Sequence, residues 1–178
     1  IESFEALLRW HSPEGYIPPS DFVKVAERTN LIERLGDWVI RQACRQQAEW
    51  RAMGLKGYRI DINISGRQAI SSDVFTRLEA YVEEYGLTPR DIGIELTENV
   101  LIDADIKVRD SLRALYDRGY KIAIDDFGTG YSSMSYLKLL LVTALKIDRS
   151  FVIECARNPR TAPSWRLRSS SVIASGWR

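Results

Sequence analysis

The chain has 178 residues, 45% of them hydrophobic, with a net charge of +1. That suffices for the core of one domain or part of one, and excludes a general binder of nucleic-acid polymers or membrane surfaces, whose ionic contacts would need a larger charge excess. Cys44 and Cys155 alone make no disulfide framework, which fits a reducing, cytoplasmic compartment, and the sequence contains neither a signal peptide nor an apolar run long enough to cross a bilayer.

Ile1 leads straight into strand-like sequence, so we read the chain as a piece of something longer. The first strand is expected over residues 2–10, with Phe4, Leu7 and Leu8 apolar and Glu5 and Arg9 in need of partners. Residues 11–19 carry Ser-Pro, Glu-Gly and Pro-Pro signals and read as a loop, with His11 exposed in it. A helix begins at Ser20 or Asp21, and a second runs from about Leu31 to Gly54 with Leu35, Trp38, Val39 and Ala43 on one stripe. Tyr58 to Ile64 reads as a strand with Asn63 near its end. Ser72 or Asp73 opens a helix striped by Val74, Leu78, Tyr81, Val82 and Tyr85, which Gly86 and Pro89 stop. The aromatics Trp38, Trp50, Tyr81 and Tyr85 lie on helix stripes and are expected in the core.

Asp91 to Leu96 is the next strand, ending in Glu95-Leu-Thr-Glu98, and a helix follows from about Asp103 to Arg118. The stretch from Lys121 to Ser133 organises the chain. Ile122 and Ile124 mark a buried parallel strand that Asp125 and Asp126 close, ahead of a glycine-rich loop. Adjacent carboxylates repel when both are ionised, so a hard divalent cation is the expected counter-charge. A short helix over residues 131–140 and a strand from Thr143 to Ile147, with Lys146 and Asp148 at its end, complete the pattern.

Asn63, Glu95 and Asp125 recur at roughly 30-residue spacing, one strand-plus-helix unit each. Each unit ends in an oxygen ligand, which argues for a parallel (β/α) barrel or open α/β sheet with its site at one rim. A barrel needs about eight strands, and five are legible. Glu5, Asn63, Glu95, Asp125 and Asp126 together offer carboxylates and an amide carbonyl, a set suited to Mg²⁺ or Mn²⁺ and unsuited to structural zinc. The Asp pair can serve two ions about 3.5 to 4 Å apart, the arrangement of in-line phosphodiester cleavage. Lys146 can position the attacking water or neutralise charge at phosphorus, and Arg9 can grip a phosphate oxygen.

The segments Glu5-Ala6-Leu7-Leu8-Arg9, Asn63-Ile-Ser65, Glu95-Leu-Thr-Glu98, Asp125-Asp126-Phe-Gly-Thr-Gly-Tyr-Ser-Ser and Leu145-Lys146-Ile-Asp148 resemble the successive motifs of the EAL-domain family of cyclic di-GMP phosphodiesterases. The resemblance implies a modified TIM barrel, incomplete in this chain, that is cytoplasmic, often dimeric and often fused to sensor or diguanylate cyclase modules. It implies hydrolysis of cyclic di-GMP to linear pGpG with Mg²⁺ or Mn²⁺. By motif position Glu5, Asn63, Glu95, Asp125 and Asp126 are metal ligands and Glu5, Lys146 and Asp126 are catalytic. Arg9 and Asp148 contact substrate, and Glu98 anchors the loop of residues 127–133.

The resemblance runs from Ile1 to about Thr161. The family's later E-G-V-E strand, its functional Gln and a preceding Gln-bearing strand are not found, and Leu140-Leu-Val-Thr143 replaces the usual Leu-Pro-Val-Asp. Residues 162–178 mix Trp, Arg and Ser without periodicity and are expected to be a divergent tail read out of frame. Such a chain is expected to leave sheet edges and apolar faces uncovered. Three functions remain open at this point: a metal-dependent phosphodiesterase, a non-catalytic cyclic di-GMP-binding module, and an inactive truncated fragment.

Overall fold

The computed structural model describes residues 1–70, 73–98, 100, 106–127, 142–148 and 172–174. Five strands form the expected parallel series: β1 (Ser3–Ala6), β4 (Arg59–Ile64), β5 (Ile92–Thr97), β6 (Lys121–Phe127) and β7 (Ala144–Ile147). A sixth, β8 (Val172–Ala174), lies parallel beside β7, so the sheet order among the described residues is β1-β4-β5-β6-β7-β8. This is an incomplete, curled (β/α) barrel, and among the described residues the crossovers from β1 to β4, β4 to β5 and β5 to β6 carry helix, which lets each strand lie parallel beside the one before it. β8 is a correction, since residues 162–178 show no strand periodicity; three residues are too few to give one.

Isoleucine alternation decides which face of the sheet is which. Ile62, Ile92, Ile94, Ile122 and Ile124 are at most 1% exposed and point to the helix side. There they meet Ile40 and Cys44 of α2 (Leu31–Ala52), Ala69 of α3 (Gly66–Ile70), Leu78 and Val82 of α4 (Asp73–Glu84), and Leu112 of α5 (Ile106–Arg118). Each such side chain contributes roughly 1.5–3 kcal/mol of burial, so this layer holds the molecule together. The opposite, concave face takes the polar residues of the same strands, which is how a strand with a buried face presents a site on the other. At Gly119, φ is +99° and the Tyr120 N–H donates to Leu115 O at 3.1 Å, which turns the chain out of α5 into β6.

Two local readings change. The first strand ends at Ala6, and residues 10–17 are a β-hairpin, β2 (Trp10–Ser12) with β3 (Gly15–Ile17), instead of a loop. Ser12 Oγ accepts from the Glu14 N–H at 3.2 Å and donates to Gly15 O at 3.1 Å, and Gly15 takes φ +130°. The same Pro and Gly signals that suggest a loop thus build a tight turn. Helix α1 (Pro19–Arg28) starts one residue before Ser20, with Pro19 in the first turn where a missing N–H costs nothing. Trp50, Tyr81 and Tyr85 pack against the core as expected, but Trp38 is 54% exposed. His11 is exposed, with its ring in tilted contact with Tyr16 at 5.4 Å between centroids. The expected helix over 131–140 lies outside the described residues. No described helix is long and apolar enough to cross a membrane.

Candidate metal centre

Register brings the acidic residues together. Glu5 pairs across from Asp61, which places Asn63, two residues on and on the same face, beside it; Asn63 in turn pairs with Glu95. The Asn63 amide donates from Nδ2 to Glu5 Oε1 at 2.7 Å, leaving its carbonyl oxygen available as a ligand. Glu5, Glu95 and Asp125 each direct a carboxylate oxygen to one point, all within 4.8 Å of one another. They come from β1, β5 and β6, so three separate strands converge on the same volume.

Lys146 on β7 reaches into this group. Its ammonium forms an ion pair with Glu95 Oε1 and stands 3.8 Å from Glu5 Oε2. Burial alone would lower its pKa, but the Glu95 hydrogen bond and charge, then Glu5 and Asp125, hold it above its ordinary value. Glu95 is 1% exposed. Apart from Lys146, neither of its oxygens has a donor among the described residues. Its pKa is pushed up to about 7, chiefly by burial, with Lys146 opposing and the charges of Glu5 and Asp61 adding to the rise. A buried carboxylate with unused lone pairs, two neighbouring carboxylates and an amide oxygen is the donor set a hard dication takes. The residues fit such an ion.

Asp126 is presented by a backbone irregularity. The β6–β7 register shifts between Ile124 and Phe127, and Asp126 adopts φ +52°. This bulge lets Phe127 return to the buried face while Asp125 and Asp126 both stay off it, which strict alternation forbids. Burial, then Asp125, Asp148 and Glu5, raise the Asp126 pKa, with Lys146 opposing. Asp148 follows β7, its backbone N–H donating to Phe127 O at 3.2 Å. Arg9 is not in the cluster: it is exposed, donates to Leu8 O at 2.8 Å, and lines a cleft of about 350 Å³ that reaches Asn63 and Glu95. Glu98 is buried at the end of β5, and the loop assigned to it lies, past Phe127, outside the described residues.

Sequence reading passed over Arg59 and Asp61. The signal was present: Arg59, Asp61 and Asn63 alternate along β4 and therefore share the concave face. Arg59 Nε donates to Asp61 Oδ1 at 2.5 Å and Nη2 to Oδ2 at 3.3 Å, so a paired carboxylate sits directly before Asn63.

Residues 1–167 match the family described as EAL domain. The cyclic di-GMP phosphodiesterase PdeR of Escherichia coli (strain K12) is 41% identical over 160 residues, which covers 89% of this chain and 24% of that protein. The cyclic di-GMP phosphodiesterase PA2567 of Pseudomonas aeruginosa is 39% identical over 157 residues, covering 88% and 27%. The chain therefore spans about a quarter of the length of these relatives. The solved structure of the PaMucR phosphodiesterase in its c-di-GMP complex superposes with a TM-score of 0.83 at 37% identity, over 90% of this chain and 65% of that one.

Proposed function

This chain belongs to the EAL domain family, and from that premise we propose that it hydrolyses cyclic di-GMP to linear pGpG, with Mg²⁺ or Mn²⁺ held by Glu5, Asn63, Glu95, Asp125 and Asp126. The observation that carries this reading is the convergence of Glu5, Glu95 and Asp125 from three strands. When bound, the cation supplies charge neutralisation at the phosphoryl oxygens and a more acidic water. Asn63 fixes the Glu5 carboxylate through its amide. Lys146 keeps its positive charge beside Glu5 and Glu95 and can donate a hydrogen bond that positions a water or neutralises charge on a phosphoryl oxygen. Asp126 and Asp148 extend the acidic rim, and Arg9 approaches substrate along the cleft that ends at Asn63.

The test is incubation of the chain with cyclic di-GMP and Mg²⁺ or Mn²⁺, with pGpG followed by chromatography. Product is expected with metal and not with chelator, and Glu5→Gln is expected to remove at least two orders of magnitude of rate. No product from the folded, metal-loaded chain ends the hydrolytic reading.

One observation favours a second reading, binding without hydrolysis. β8 stands next to β7, where the family pattern continues with its E-G-V-E strand, but Val172-Ile173-Ala174 runs into Ser175-Gly176-Trp177-Arg178. Residues 162–178 contain no Asp or Glu, so they supply no carboxylate of that pattern. Saturable cyclic di-GMP binding with no pGpG formed selects this reading. The boundary near Thr161 and the frame of residues 162–178 belong to the same proposal, and the nucleotide sequence of the gene decides them.

A further inference from the structure

The concave face carries a second ion pair beneath the acidic cluster. Asp61 is 6% exposed and lies between Glu5 on β1 and Gly93 on β5 in the strand register. A Cβ at position 93 would collide with Asp61 Oδ1, so the carboxylate occupies the space that glycine leaves open. Gly93 is two residues before Glu95 on the same strand face. Asp61 thus rests directly under Glu95. Arg59, its partner, lies one step further toward the opposite end of the barrel, where Nη2 also reaches Ser3 Oγ at 3.4 Å. Along β4 the order is cation, anion, amide: Arg59, Asp61, Asn63.

We propose that Asp61 is a positioning residue for the metal centre: the Arg59–Asp61 pair, seated over Gly93, turns its negative end toward Glu5 and Glu95 and raises the affinity of the cluster for a divalent cation. The inference rests on the metal-binding reading above. Its physical basis is that a fixed charge in a poorly solvated site acts on a dication over several ångströms with little screening. The pair is neutral overall, so it tilts the local potential without adding net charge to the concave face. Two independent observations place it there, the excluded Cβ at Gly93 and the register that sets Asp61 beside Glu5.

The test is Mn²⁺ binding to the whole chain, measured by calorimetry or by the spin-resonance signal of free Mn²⁺, at fixed ionic strength. Asp61→Asn keeps the shape and a hydrogen bond to Arg59 but leaves an uncompensated guanidinium below the site. It is expected to weaken Mn²⁺ binding about tenfold. The double variant Arg59→Met/Asp61→Asn removes that cation as well and is expected to recover part of the loss. A purely structural role predicts the reverse order, because the double variant disturbs packing more. Wild-type affinity in Asp61→Asn, or a double variant at least as weak as the single one, overturns the inference. Should Asp61→Asn fail to fold, the double variant against wild type carries the test, with weakening of about threefold expected and unchanged affinity overturning it. Absence of Mn²⁺ binding by the wild-type chain removes the metal reading itself, and this inference with it.

Discussion

Burial works against the charge of Glu95, and Lys146 is the neighbour that opposes it. The Glu95 side chain is 1% exposed while that of Lys146 is 13% exposed, so each is the other's main compensation for lost hydration. Removing one member leaves a buried charge unpaired, which costs about 3–5 kcal/mol, whereas removing both can be nearly neutral. Lys146→Met is therefore expected to lower the stability of the metal-free chain by about that amount. Combining it with Glu95→Gln is expected to restore most of the loss. Urea unfolding in chelator measures both. Equal destabilisation by the single and double variants would show that Lys146 contributes through packing of its stem and not through its charge.

At the scale of elements, Thr143 explains how a departure from the family pattern is absorbed. Its hydroxyl accepts from the Ile122 N–H at 3.1 Å and donates to Ile122 O at 3.0 Å, while its own N–H donates to Ile122 O at 2.8 Å. The side chain thus ties the start of β7 to β6 just before Lys146. Thr143→Val should cost about 1–3 kcal/mol by leaving the Ile122 N–H without its partner, and Thr143→Ser should cost much less. A urea midpoint for Thr143→Val that matches wild type would refute this role. Such tertiary bonds are not legible in sequence, whereas the elements they join were. The isoleucine runs of β4, β5 and β6 and the stripes of α2 and α4 could be read because one buried face imposes a period on the chain. The β2–β3 hairpin could not, since Pro13 and Gly15 mark a turn without saying whether its arms pair. The strand-end ligands were legible as residue types, but the bulge that turns Asp126 is a matter of register with β7. Arg59 and Asp61 drew no reading from sequence, because it is Gly93, on another strand, that shows where the carboxylate lies.

At the scale of the whole molecule, the described sheet ends at β1 on one side and β8 on the other, so the barrel is held from one face. An apolar groove of about 690 Å³ beside Trp10, Phe22, Leu31 and Trp38 adds uncovered surface. Burial on the helix side must therefore supply most of the stability, and the concave side contributes mainly through its charges. Those charges repel: Glu5, Glu95 and Asp125 sit within 4.8 Å with Lys146 as their cation. A dication bound there would tie β1, β5 and β6 together and would bind the folded chain but not the unfolded one. Linkage then gives about 2.7 kcal/mol of stabilisation at a hundredfold excess over the dissociation constant. For a domain of this size that corresponds to a rise of roughly 5–10 °C in the unfolding midpoint. Thermal unfolding with Mg²⁺ or Mn²⁺ and with chelator measures the shift. Glu5→Gln is expected to remove most of it, because it takes away the β1 ligand while leaving the helix-side core untouched. A midpoint insensitive to both metals in the wild-type chain would mean that the three carboxylates meet without holding an ion.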